Sequence, residues 1–258
     1  MNILITGASS GFGMELAFKY ANELNNVTLY LIARRKEKLE AVQEHINEIS
    51  TKNKKNIQVY LGIGDVCDKD FVRSFANSLY IDILVNNAGL ARGIDSTDKI
   101  PFQDWEEMIA VNITALSFLT HIILPNMLKQ GRGHIVNIGS IAGTYPYYGS
   151  SVYGASKAFV KQFSRNLRAE LYDKNIRVTN IEPGLCNGSD FSLTRFHGDK
   201  QKADLVYENT IPLNAKDIAE AIFWATSQPQ HVNINHIELM PTTQASAGLV
   251  VHKKNKKS

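Results

Sequence analysis

Tyr153 and Lys157, four positions apart in Tyr153-Gly154-Ala155-Ser156-Lys157, are the pair in this sequence best suited to moving a proton. Positions i and i+4 share one face of a helix, so the phenol and the ammonium can reach the same small volume. A tyrosine of ordinary pKa ~10 exchanges its proton poorly at neutral pH, and a fixed cation beside it stabilises the phenolate. A downward shift of three units needs about 4 kcal/mol of preferential stabilisation, within reach of a desolvated lysine acting with a second positive charge. A phenol tuned in this way can protonate a developing alkoxide. Ser140 closes the run Asn137-Ile138-Gly139-Ser140, where its hydroxyl can hydrogen-bond a substrate carbonyl. Read singly, Tyr-x-x-x-Lys is a common spacing and Ser140 is a turn residue ahead of Gly143.

The second concentration of chemistry is the turn Thr6-Gly7-Ala8-Ser9-Ser10-Gly11-Phe12-Gly13, placed between an apolar run and a helical stretch. Gly7 allows a sharp exit from a strand, Gly11 lets backbone approach a pyrophosphate, and Gly13 lets helix and strand pack closely. The free N–H groups of the helix start suit a phosphate. Further on, Leu31-Ile32-Ala33-Arg34-Arg35 ends in cations where an NAD-specific site carries an acid for the ribose 2′-hydroxyl. Arginine cannot accept from that hydroxyl, but its planar fork can grip a 2′-phosphate. The cofactor expected is therefore NADP. The plainer alternative, two surface charges at a helix start, leaves cations at the end of a helix that disfavours them.

These groups need a scaffold that brings distant loops together, and the hydropathy pattern describes one. Short apolar runs at 2–6, 27–33, 57–63, 81–85, 134–138, 176–181 and 235–239 alternate with amphipathic stretches at 12–24, 36–49, 69–79, 105–129, 152–172 and 216–226, with loops at 50–56 and from 182 through Thr210. Seven short strands separated by helix-length connections imply parallel crossovers, hence an α/β, doubly wound Rossmann sheet with helices on both faces. One domain over 1–250 is expected, with residues 186–210 as a substrate loop and 251–258 as a basic tail. Ligands of such sheets bind at the carboxyl ends of the strands, which is where Ser140 and the glycine turn fall.

Composition narrows the class further. The chain has 258 residues, 44% hydrophobic and 21% charged, which excludes disorder over most of its length. A net charge of +3, part of it in the Lys-rich tail, implies no nucleic-acid surface. Cys67 and Cys186 have neither metal-ligand spacing nor a disulfide framework, so no metal and a reducing, cytoplasmic compartment are expected. No apolar run looks long enough for a membrane span, and no partner membrane is expected.

Asp65-Val66 after the third strand, Asn86-Asn87-Ala88-Gly89 after the fourth, Asn112 in the long helix and Pro183-Gly184 after the sixth complete a set that, with the glycine turn, Ser140, Tyr153 and Lys157, resembles the short-chain dehydrogenase/reductase family along nearly the whole chain. Each of the added residues also has a plain reading: Asn87 capping a turn, Asn112 a polar helix residue, Pro-Gly a turn. The resemblance implies an oxidoreductase with Tyr153 as general acid/base and Lys157 lowering its pKa and holding the nicotinamide ribose. It implies Ser140 orienting substrate and Asn112 supporting a water of the proton relay. Asp65 and Val66 would lie by the adenine, Asn87, Ala88 and Gly89 on the cofactor floor, and Pro183, Gly184 and Leu185 behind the nicotinamide. Family members usually form homotetramers.

The C-terminal half, Ile181–Ser192, Arg195–Asp199, His231–Asn235 and Met240–Gln244, is similar to the NADP-dependent 3-hydroxy acid dehydrogenase subgroup, which acts on serine, L-allo-threonine and 3-hydroxypropionate or malonic semialdehyde. Ser189 stands where the family usually has Thr. A small hydroxy or oxo acid needs a cation, and Arg195 is the first candidate, with Arg92 the second. Tyr147 and Tyr148 are candidates for the pocket wall. Two alternatives stay open: a carbonyl reductase for uncharged ketones or aldehydes, and an NADP-sensing binding protein without turnover.

Overall fold

A computed structural model of the chain describes residues 1–246. Its seven strands are β1 (Asn2–Thr6), β2 (Asn26–Ala33), β3 (Asn56–Ile63), β4 (Ile83–Asn86), β5 (Gly133–Ile138), β6 (Ile176–Pro183) and β7 (His236–Leu239). They form one parallel sheet in the order β3-β2-β1-β4-β5-β6-β7. The chain winds outward from β1 to β3, then crosses back to β4 and winds the other way. The carboxyl ends of β1 and β4 therefore open a crevice at the point of reversal.

Strand side chains alternate between faces, and both faces are covered. Ile3, Ile5, Leu29 and Leu31 point to the layer of α1 (Gly11–Glu23), α2 (Lys36–Asn53) and α9 (Ala215–Thr226). Leu4, Ile32, Leu84 and Ile135 point to the layer of α3 (Lys69–Ala76), α5 (Leu116–Gln130) and α6 (Ser151–Glu170). Covering on both sides explains why the central strands read as unbroken apolar runs.

Four expectations need correction. Helix α2 continues to Asn53, consuming most of the expected 50–56 loop, and ends with Lys54 in the left-handed region at φ 52°. The expected long helix at 105–129 begins earlier, as α4 (Phe102–Ile109), and passes through a wider π turn at Ala110–Ala115 before α5. The segment after β6 is not wholly irregular: it holds α7 (Phe191–Arg195) and α8 (Lys200–Leu205), too short to register as a periodic pattern. The membrane-length expectation also fails, because Phe102–Gln130 contains a window of mean hydropathy 1.7 that is long and apolar enough to span. Leu119, Ile123 and Met127 of that stretch pack into the core. The expected 251–258 tail lies outside the described residues.

Candidate active site

The carboxyl ends of β1, β2, β4, β5 and β6 converge on one cavity of about 550 Å³, inside the roughly 300–1,000 Å³ typical of small-molecule sites. The glycine turn forms one end of it. Gly7, Ser9, Ser10, Gly11 and Phe12 line the cavity. Gly11 has φ 56°, and a Cβ there would fall 2.5 Å from Ser189 Cβ, so only glycine fits. Gly13 stands behind: a Cβ would fall 2.6 Å from Asn87 Nδ2 and 2.7 Å from Gly7 O. Thr6 also works from behind, its Oγ1 accepting from Asn87 N at 3.1 Å and Ala88 N at 2.9 Å, which ties the β4 turn to the β1 turn.

Ser10 precedes α1 without a side-chain cap, and the first turn of that helix contains no acid. Its leading N–H groups are thus left for an anionic ligand, which fits a dinucleotide pyrophosphate. Arg34, Arg35, Asp65 and Val66 line the adjoining wall, and Asn87, Ala88 and Gly89 the floor. Pro183, Gly184 and Leu185 close the opposite side. Leu185 N donates to Gln244 Oε1 at 2.7 Å, a buttress to which the sequence reading assigned no role. A second unassigned residue is Lys38, three positions after Arg35 on the first turns of α2 and so on its face. It reaches Asp190 at 3.2 Å.

At the other end of the cavity Tyr153 and Lys157 project from α6 beside Ser140. All three side chains are buried. Lys157 Nζ donates to Ile138 O at 2.8 Å, and burial lowers its pKa to about 8. Burial raises Tyr153 to about 12, partly offset by a hydrogen bond with Ser140 and by the charge of Arg195. In the protein alone the phenol therefore lies above its ordinary value, and the expected lowering calls for a second positive charge beside Lys157. The lysine sits 5.9 Å from the ring centroid, anchored to the strand carbonyl.

Asn112 is placed differently from the other expected residues. Its Oδ1 accepts from Leu90 N at 2.9 Å, while Nδ2 donates to Leu90 O at 2.8 Å and Ser156 Oγ at 3.0 Å. The amide thereby fastens the π turn to the loop after β4 and to α6, behind Tyr153 and Lys157, and does not reach the cavity.

Arg195 lines the cavity from the end of α7. Its Nε donates to Gly93 O at 3.0 Å and Nη2 to Tyr147 Oη at 2.8 Å, and Cζ lies 5.7 Å from the Tyr153 ring centroid. No carboxylate pairs with it among the described residues. Arg92, the second candidate, is committed to Glu107 at 2.8 Å and to Thr194 O at 2.7 Å. Tyr147 lines the cavity, whereas Tyr148 is 74% exposed and faces a separate surface groove.

Comparison with known proteins follows the same lines. The family description "short chain dehydrogenase" matches residues 1–198. The chain is 45% identical over 258 residues to the NADP-dependent 3-hydroxy acid dehydrogenase YdfG of Salmonella typhi, covering 98% of this chain and 100% of that one. It is 42% identical over 259 residues to serine 3-dehydrogenase of Agrobacterium fabrum, covering 98% of each. Among solved structures, the closed form of serine dehydrogenase complexed with NADP+ superposes with a TM-score of 0.90 at 42% identity, over 98% of this chain and 100% of that one.

Proposed function

Because this chain belongs to the short-chain dehydrogenase family and is an NADP-dependent oxidoreductase of CH–OH groups, we propose that it interconverts a short 3-hydroxy acid and its 3-oxo form. Serine, allo-threonine and 3-hydroxypropionate with malonic semialdehyde are the substrate class. The observation that carries this reading is Arg195, a guanidinium without an acidic partner among the described residues, 5.7 Å from the Tyr153 ring in the cavity wall. A cation left without its counter-ion in a small-molecule site is suited to a substrate carboxylate.

NADP, when bound, supplies the hydride acceptor or, reduced, the donor. The chain does the rest. Arg195 holds the carboxylate and sets which carbon faces the reacting end. Ser140 donates a hydrogen bond to the substrate oxygen. Tyr153 gives its Oη proton to that oxygen during reduction and takes it back during oxidation. Lys157, fixed to Ile138 O, keeps a positive charge one helical turn away, and Asn112 braces the helix that carries both. Arg34, Arg35 and Lys38 offer positive charge for a 2′-phosphate.

We also read the chain as a cytoplasmic homotetramer. Support comes from Phe102–Gln130, whose most apolar window is only 39% buried within one chain, and from the exposed Ile109, Leu128 and Phe159. Two free cysteines, one of them exposed, fit a reducing compartment. Light scattering on the purified protein measures the assembly, and a monomer would remove that reading. For the function, the test is an absorbance screen of nicotinamide reduction across 3-hydroxy acids and neutral alcohols, with NADP and NAD. Turnover of the acids with NADP is expected. A preference for neutral compounds would replace the hydroxy-acid reading with that of a general carbonyl reductase.

A further inference from the structure

At the adenosine end of the cavity every arginine already has a carboxylate. Arg34 Nη1 lies 3.5 Å from Asp65 Oδ2. All three nitrogens of Arg35 have partners: Nε and Nη2 donate to Ser9 Oγ at 3.3 and 3.1 Å, Nη2 also donates to Ser10 Oγ at 2.7 Å, and Nη1 donates to the Asp190 carboxylate. Lys38 Nζ reaches the same Asp190 oxygen at 3.2 Å. A 2′-phosphate arriving at Arg35 or Lys38 meets donors that the Asp190 carboxylate already contacts, whereas most of the exposed Arg34 fork is unused.

Asp190 is also oddly oriented for its position. It precedes α7 as the N-cap residue, where an aspartate ordinarily accepts from its own helix, yet it makes no side-chain cap bond. The carboxylate turns instead across the cavity mouth to α2. Its pKa is held below the usual range, chiefly by the Arg35 hydrogen bond, so it is anionic at neutral pH. The helix it begins carries Phe191, whose ring lies 5.7 Å from that of Tyr153, and ends at Arg195 in the cavity wall. One five-residue helix therefore joins the cations of α2 to the residues around the reacting end.

We propose that Asp190 is a specificity-determining residue of the cofactor site, competing with the cofactor's 2′-phosphate for Arg35 and Lys38. The proposal rests on the NADP assignment and deepens it. A dinucleotide with a 2′-phosphate exchanges one anion for another and releases the start of α7 from α2. One with a free 2′-hydroxyl brings no competing charge, and the Asp190 link persists. Asp190 thus caps the affinity for the phosphorylated cofactor and connects its presence to the placement of Phe191 and Arg195.

The test is calorimetric binding of NADPH, NADH, adenosine 2′,5′-bisphosphate and 5′-AMP to the full chain and to Asp190→Asn. Removing the competing charge should tighten NADPH and the bisphosphate about fivefold, the scale of one partly exposed ion pair. NADH and 5′-AMP should stay within about twofold. The gain should vanish when Asp190→Asn is made in an Arg35→Met background. Weaker NADPH binding by Asp190→Asn, which would make Asp190 a prop for Arg35, overturns the proposal, as does an unchanged affinity or an equal shift for both dinucleotides. Failure of the NADP assignment itself would look different: the unaltered chain would show no preference for NADPH over NADH.

Discussion

Replacing Arg195 by Met keeps an aliphatic stem and removes the charged fork, whose Cζ lies 5.6 Å from the Tyr147 ring centroid and 5.7 Å from that of Tyr153. A hydrogen-bonded contact between charged groups is worth roughly 1.5–3 kcal/mol. Arg195 is half-buried and already tied to Gly93 O and Tyr147 Oη, so it is preorganised but partly screened. About 2 kcal/mol is the appropriate scale, equivalent to a loss of about 30-fold in kcat/KM. The loss should fall on 3-hydroxy acids and mainly on KM, because the carboxylate does not change during reaction. A neutral alcohol or ketone of similar size senses only the loss of a charge 5.7 Å from the Tyr153 ring. For it the change should stay within about threefold. The ratio of the two effects, from steady-state kinetics on both substrates, separates a carboxylate receptor from a structural strut. Equal losses on acid and neutral substrates would refute the assignment.

Tyr153→Phe should lower turnover by about 10²–10⁴-fold, the usual contribution of a positioned acid, while NADPH affinity measured by fluorescence stays essentially unchanged. Lys157→Met should do the opposite to stability and to function. With its pKa lowered to about 8 by burial, the folded ammonium costs about 3 kcal/mol below pH 8, a cost that shrinks as pH rises toward 10.5. Allowing about 1 kcal/mol for the lost bond to Ile138 O, the cofactor-free variant should melt about 4–8 °C higher at neutral pH and turn over poorly. His134, buried against Thr179 at 2.7 Å, has its pKa lowered to about 3 by burial and by Arg177. The unfolded chain binds a proton below about pH 6.5 that the folded chain refuses, so stability is retained above that value and lost as pH falls toward 3. Between pH 6.5 and 5 the loss from this group is about 2 kcal/mol. His134→Gln should flatten that slope in urea titrations at the two pH values, and an unchanged slope would assign it to other groups.

The parts of the fold legible in the sequence are those set by local pattern. Strand runs such as Val27–Ala33 and helix faces such as Leu39, Val42, Ile46 and Ile49 carry their own periodicity, and all four of those helix positions are buried. Cavity residues held on turns of fixed chemistry, Gly7 to Phe12 and Asn87 to Gly89, were likewise readable because turn geometry limits which residues fit. What escaped depends on tertiary contacts. At the π turn Ala110–Ala115, Asn112 bonds to Leu90 and Ser156, far away in the chain, and nothing in its local sequence announces these contacts. Lys38 and Asp190 are 152 positions apart, and neither suggests the other. Arg92 and Arg195 look alike as loop cations; only the structure shows that Glu107 neutralises the first and leaves the second free of any acidic partner among the described residues.

The protonation states around Tyr153 follow from the same distinction between local spacing and environment. Spacing brings Lys157 to the correct face of α6, but burial acts on both members of the pair and in unfavourable directions: the phenol rises to about 12 and the ammonium falls to about 8. A phenol at that value is competent to protonate an alkoxide, which is far more basic, yet about 10⁻⁴ of it is ionised at pH 8. The protein by itself is thus poised to give a proton rather than to take one. Oxidation of a hydroxyl requires additional positive charge near Oη. Among the described residues Arg195 brings such a charge to Tyr153 from a separate element, α7, with its Cζ 5.7 Å from the ring centroid. A substrate carboxylate that pairs with Arg195 cancels part of that help. On the proposed reading, acid substrates therefore lean more heavily on Lys157 than neutral ones do, and the anchoring of Lys157 to Ile138 O matters most for them.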